Sequence, residues 1–112
     1  MKHKIVLVPF PFDDLSTSKV RPAVCLTDEL SPYGHIVLAF ITSRISEDPG
    51  RSDLIIKADD ENFAATGLKV ASTIRLHRLM TVRTSIISRE LGTLSTGHVS
   101  AINFRLKELF DI

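Results

Sequence analysis

Residues 18–43 read SKVRPAVCLTDELSPYGHIVLAFITS, two apolar, β-branched segments at 20–28 and 35–43 on either side of the turn-forming run TDELSPYG. This is the pattern of a β-hairpin. If the turn is symmetric about Ser31 and Pro32, opposed residues have position numbers of constant sum. Ala23 then faces Phe40, Cys25 faces Leu38 and Arg21 faces Thr42. These pairs share one face, with small residues set against large ones, and a slip of one residue would send all of them to the other face. Pro22 has no N–H and is tolerated at a strand's start or on an edge, so this end of the hairpin lies near solvent and Arg21 can be reached.

Before the hairpin, residues 4–10, KIVLVPF, are apolar on both faces, which suggests a strand covered on both sides, as in a small barrel or an interface. PFPFDDLSTSK then makes a surface loop, long for a small domain. After the hairpin, residues 45–51 read as a loop, 53–57 as a short strand and 61–66 as a helical turn ended by Gly67. Residues 69–82 read as a longer strand and 86–91 as a last one. Ser95 offers an N-cap, with Leu94 and Val99 placed as a hydrophobic staple. Beyond it Val99, Ile102, Leu106, Leu109 and Phe110 recur at helical spacing and predict a terminal helix lying on the sheet. The expected architecture is mainly β with a C-terminal helix: one domain over residues 1–112, built as a small, partly open β-barrel.

Composition sets bounds on function. With 112 residues, 44% hydrophobic and 24% charged, the chain fits a single soluble domain, and no apolar run approaches the ~20 residues of a membrane span. Pro9 and Pro11 and the lack of a small-residue cleavage site argue against a signal peptide in the N-terminal apolar run. The single cysteine, Cys25, excludes an internal disulfide; among Ala23, Val24 and Leu26 it reads as a buried, inert thiol, consistent with a reducing cytoplasm. A net charge of +1 gives no bulk argument for nucleic-acid binding. The distribution of charge says more. Glu47, Asp48, Asp53, Asp59, Asp60 and Glu61 crowd one segment, whereas residues 62–89 hold Lys69, Arg75, Arg78, Arg83 and Arg89 with no acid. Such segregation fits either two solvated faces or a local anion site. No P-loop, dinucleotide fingerprint, Cys-x-x-Cys or His-Glu-x-x-His is present, so nothing supports nucleotide hydrolysis or zinc catalysis, and no metal or cofactor is expected.

The run KIVLVPFPFDDLSTSKVRPAVCL, then VLAFITS, then STIRLHRLMTV and LGTLS before a terminal helix, resembles the MazF/PemK family of toxins from type II toxin–antitoxin pairs. The likeness spans nearly the whole chain, and its most specific parts are the loop-Arg-Pro-strand motif and the Ile-Thr-Ser that ends the third strand. The resemblance implies an SH3-like, CcdB-like barrel that dimerises and cleaves single-stranded RNA in the cytoplasm. It also implies an antitoxin partner whose acidic or apolar tail covers the RNA groove. The family's essential arginine and threonine fall on Arg21 and Thr42, the pair already opposed by the hairpin register. The chain departs from the family at His3-Lys4, where members often have Gly-Asp, and at His77, where an acidic residue is frequent.

Metal-independent RNA cleavage can use the ribose 2′-OH against the neighbouring phosphate, so the protein must align that hydroxyl and neutralise charge growing on the phosphoryl oxygens. Arginine suits the second task. With a pKa above about 12 it is a poor proton acceptor, so His77, flanked by Arg75 and Arg78, is a candidate acid or base. Ser43 beside Thr42 is a further donor, and Ser18, Lys19, Arg44, Arg75 and Arg78 are candidate RNA contacts. Each is equally an ordinary surface residue when taken alone. The rival readings are a noncatalytic CcdB-like interaction module, a gyrase-directed toxin on the same fold, and a partner-docking scaffold.

Overall fold

The computed structural model describes residues 1–9 and 19–112. Six strands form one antiparallel sheet: β1 (Lys4–Pro9), β2 (Val20–Cys25), β3 (His35–Thr42), β4 (Asp53–Ile56), β5 (Ser72–Arg83) and β6 (Arg89–Thr93). A short helix, α1 (Phe63–Thr66), precedes β5, and the long helix α2 (Thr96–Phe110) follows β6. The strand order is β4-β5-β3-β2-β1-β6, a curled half-barrel with β4 and β6 as its two edges.

Both faces of the sheet carry a core, which is why β1 is apolar throughout. Ile5, Val24, Ala39, Ile41, Ile74 and Leu76 point to one face and pack with Leu94 and with Ile102 of α2. Val6, Val8, Ala23, Cys25, Leu38 and Phe40 point to the other, against Met80 and Val82. The alternation along each strand thus divides apolar side chains between two layers, with β1, β2 and β3 buried from both sides. Cys25 is fully buried, and burial pushes its thiol up to about 11. A disulfide-exchange reagent at pH 8 is therefore expected to label unfolded protein in urea at least ~100-fold faster than native protein. Equal rates would contradict this placement.

Several boundaries differ from those the sequence suggests, each for a local reason. The hairpin turn centres one residue later than expected: Leu30 bridges to His35, and Tyr33 and Gly34 N–H both donate to Leu30 O. Residues 26–29 on one side thus face only Ile36 and Val37 on the other. There Thr27 Oγ1 accepts from Val37 N at 3.2 Å in place of a backbone carbonyl, and the strand ends at Cys25. This irregularity absorbs the offset, so the ladder runs Cys25↔Leu38, Val24↔Ala39, Ala23↔Phe40, in the expected register.

The last strand begins and ends later than expected. Residues 84–86 form a 3-10 turn held by Thr84, whose N–H donates to Gly34 O, and β6 continues through Gly92 to Thr93. Gly92 lies inside the strand because α1 crosses it: a Cβ there would sit 2.2 Å from Ala65 O. Ser95 caps α2 as expected, its Oγ accepting from His98 N at 3.2 Å. The predicted apolar stripe of α2 is buried only in part, since Val99, Ile102 and Leu106 join the core while Leu109 and Phe110 are exposed. The helix end turns polar residues to the sheet edge instead: Arg105 Nε donates to Asp53 O, and Glu108 pairs with Arg51.

Candidate functional site

The register of β2 and β3 places the two singled-out side chains. The ladder is paired as far as Ala23↔Phe40, and beyond it Arg21 and Thr42 both line one cleft of about 490 Å³. Arg21 is exposed on β2, where it also pairs with Val8 of β1. Thr42 closes β3 and is half-buried. Its Oγ1 accepts from Arg44 N at 3.2 Å, so the hydroxyl that resembles a family residue also folds the turn after the strand.

A residue missed in the sequence completes this turn. Thr73, buried and directly across from Thr42 in the β3–β5 ladder, donates from Oγ1 to Arg44 O at 3.0 Å. Two threonines thus hold both polar groups of the Arg44 backbone, and Arg44 joins the lining of the cleft. The sequence offered a signal in the paired threonines at the ends of two neighbouring strands. It became readable only once the β3–β5 register was known.

That register is irregular. Phe40 pairs with Arg75 and Ala39 with Leu79, so residues 76–78 bulge from β5. The bulge brings Arg78 as well as Arg75 to the cleft, whose lining includes Arg21, Arg44, Arg75 and Arg78 together with Thr42 and Ser43. No carboxylate lines it among the described residues. A lining rich in forked donors suits a planar or tetrahedral oxyanion better than a cation or a neutral ligand.

The remaining predicted residues fall elsewhere. Lys19 is exposed just before β2 and does not line the cleft, and Ser18 lies outside the described residues. His77 is also absent from the lining; its Nδ1 lies 3.2 Å from Ser52 Oγ and 3.9 Å from Asp53 Oδ1.

Comparison with known proteins bears on the family and the fold. A family model described as the PemK-like, MazF-like toxin of type II toxin–antitoxin systems matches residues 2–110. The chain belongs to that family. The structure is similar to that of the Mycobacterium tuberculosis toxin MazF-mt6 at 19% identity and a TM-score of 0.74, with 97% of each chain covered. MazF from Deinococcus radiodurans is similar at 16% identity, TM-score 0.73, over 99% of this chain and 96% of that one. An endoribonuclease from a mycobacterial species, solved in complex with its cognate antitoxin, is similar at 11% identity, TM-score 0.73, over 100% of this chain and 95% of that one. At these identities the likeness concerns the fold. A comparison with curated protein sequences found no match.

Proposed function

We propose that this member of the family is an endoribonuclease toxin that cuts single-stranded RNA, with messenger RNA as its target, sequence-selectively and without a metal ion. The observation that carries the reading is that four arginines line one open cleft together with Thr42 and Ser43. A single strand can lay its phosphates along such donors with its bases free. In the proposed reaction the ribose 2′-oxygen bonds to the adjacent phosphorus, the bond to the 5′-oxygen breaks, and the products are a 2′,3′-cyclic phosphate and a 5′-hydroxyl. The proton lost from the 2′-OH and the one gained by the leaving oxygen balance.

Arg21 binds the phosphoryl oxygens as their charge grows, offering two parallel N–H donors without risk of losing its own charge. Thr42 orients the reacting groups. One lone pair of its Oγ1 is occupied by Arg44 N–H, which leaves the hydroxyl proton to donate into the cleft. Arg44, Arg75, Arg78, Ser43, Lys19 and Ser18 are assigned to the flanking phosphates and bases.

Proton transfer is the role proposed for His77, and its test is the pH–rate profile of His77→Gln. Its ring contacts Ser52 and lies outside the cleft lining, and an unchanged profile and rate would remove it from the chemistry. Loss of a limb near neutrality would assign proton transfer to this ring.

The partner is an antitoxin, as in the mycobacterial complex, carrying an acidic or apolar segment that lies over the cationic cleft. The proposed assembly is a homodimer in the cytoplasm; Phe104 and Phe110, both more than half exposed on α2, supply apolar surface for it. No helix among the described residues is long and apolar enough to cross a membrane. Expression without the antitoxin should arrest growth. Incubating purified protein with mixed-sequence RNA in EDTA and mapping the ends tests the chemistry. Cuts at a recurring short sequence bearing cyclic phosphate support it, and intact RNA favours a noncatalytic module on the same fold.

A further inference from the structure

Four like charges in one cleft repel one another, and a guanidinium is directed by the charge it faces. One buried carboxylate lies beside Arg75. Asp53 opens β4 directly across from Arg75 in the β4–β5 ladder, and its side chain is only 9% exposed. Three contacts fix it in place. Its Oδ2 accepts from Gly50 N at 3.0 Å, its N–H returns a bond to Gly50 O at 3.0 Å, and its carbonyl accepts from Arg105 Nε at 3.1 Å.

The other carboxylate oxygen, Oδ1, faces Arg75 and His77. It stands 3.7 Å from Arg75 Nε and 3.9 Å from His77 Nδ1, and neither Oδ1 nor Arg75 Nε has a hydrogen-bond partner among the described residues. Thr42, Arg44, Asp53 and Arg75 share the lining of a small cavity of about 60 Å³ that shares three of those residues with the large cleft. A buried carboxylate is costly unless a charge answers it, and here the answering charge is Arg75.

We propose that Asp53 is a positioning residue for RNA binding: it holds the Nε edge of Arg75 and turns the remaining guanidinium donors into the cleft, onto a phosphate flanking the one that is cut. The inference rests on the cleft being the RNA site. It makes a prediction opposite in sign to simple electrostatics. A carboxylate near bound phosphate repels it, so if Asp53 were only a nearby negative charge, Asp53→Asn would tighten RNA binding and steepen its dependence on salt. If Asp53 positions Arg75, the same substitution weakens both cleavage and binding although it makes the protein more positive.

The test compares wild type, Asp53→Asn, Arg75→Ala and the double variant. The readouts are cleavage of a single-stranded RNA and binding, as a function of NaCl, of the same strand with a 2′-deoxy nucleotide at the cut. Asp53→Asn is expected to lower kcat/KM about tenfold, as a shifted contact does, and to reduce the salt slope by ~0.7, as loss of one phosphate contact does. The double variant is expected to be no worse than Arg75→Ala alone.

Because Asp53→Asn also touches the turn at residues 50–53, Arg75→Lys is measured beside it. Lysine keeps the charge but has no Nε edge to be held, and is expected to lose nearly as much cleavage as Arg75→Ala while melting with wild type. Tighter binding by Asp53→Asn, additive losses in the double variant, or full activity of Arg75→Lys would each overturn the proposal while leaving the cleft as the RNA site. Wild-type protein that neither binds nor cuts RNA would overturn both.

Discussion

Arg21→Ala is expected to lower kcat/KM for RNA cleavage by roughly 10³-fold, about the loss seen when one donor aimed at a developing oxyanion is removed. The fold is expected to hold in this variant. Arg21 stands exposed at the mouth of β2, and what anchors the strand is Ala23, Val24 and Cys25, all fully buried beyond Pro22. Substitution at such a surface position changes stability by only about ±0.5 kcal/mol, so the melting temperature should stay near that of wild type. Arg21→Lys separates charge from geometry: it restores the cation without the two-pronged fork, and only partial recovery is expected. An Arg21→Ala protein that still cut RNA at the wild-type rate would remove Arg21 from the chemistry.

The largest loss of stability is expected far from the cleft, at Gly92→Ala. A Cβ at this position would lie 2.2 Å from Ala65 O and 2.5 Å from Thr66 C, both of them backbone atoms that no rotamer change can move aside. Gly67 makes the reciprocal approach from α1, where its own Cβ would meet Leu91 O at 2.2 Å. The α1–β6 crossing therefore depends on glycine from both sides. Forcing it apart should cost about 3 kcal/mol, the upper range for overpacking, and lower the melting temperature by ~10 °C or more. Thermal denaturation measures this directly. Below the transition, the folded fraction should cut RNA with wild-type kcat/KM, because Gly92 and α1 contribute nothing to the cleft lining.

These two positions show what could be read from the sequence. The β2–β3 register was legible because two apolar strands of alternating small and large residues flank one turn, and pairing fixes the faces of both strands at once. It survived an error in the turn centre because Thr27 bridges to the ladder through its side chain. The cap of α2 was legible because Ser95 acts within one turn of chain. Gly92 was not, since a glycine late in a short strand ordinarily marks its end, and only the path of α1 explains why none but glycine fits there.

Arg75, Arg78 and Arg44 could be named as cations but not brought together. Arg78 reaches the cleft through the bulge at residues 76–78, and Arg44 is carried by a turn that Thr42 and Thr73 close from different strands. Asp53 was visible only as one of a crowd of acids. Its position behind Arg75 is a property of the β4–β5 pairing, which the short sequence of β4 does not announce.

The central claim, that the Arg21–Thr42 cleft directs a ribose 2′-oxygen onto the adjacent phosphate, is tested most directly by removing that one oxygen from the substrate. An RNA strand is prepared with a single 2′-deoxy nucleotide on the 5′ side of the mapped cut, and its binding and cleavage are compared with those of the unmodified strand. Binding within a few-fold of the unmodified strand and no cleavage at the modified bond are expected. Cutting there at the unmodified rate would contradict the claim.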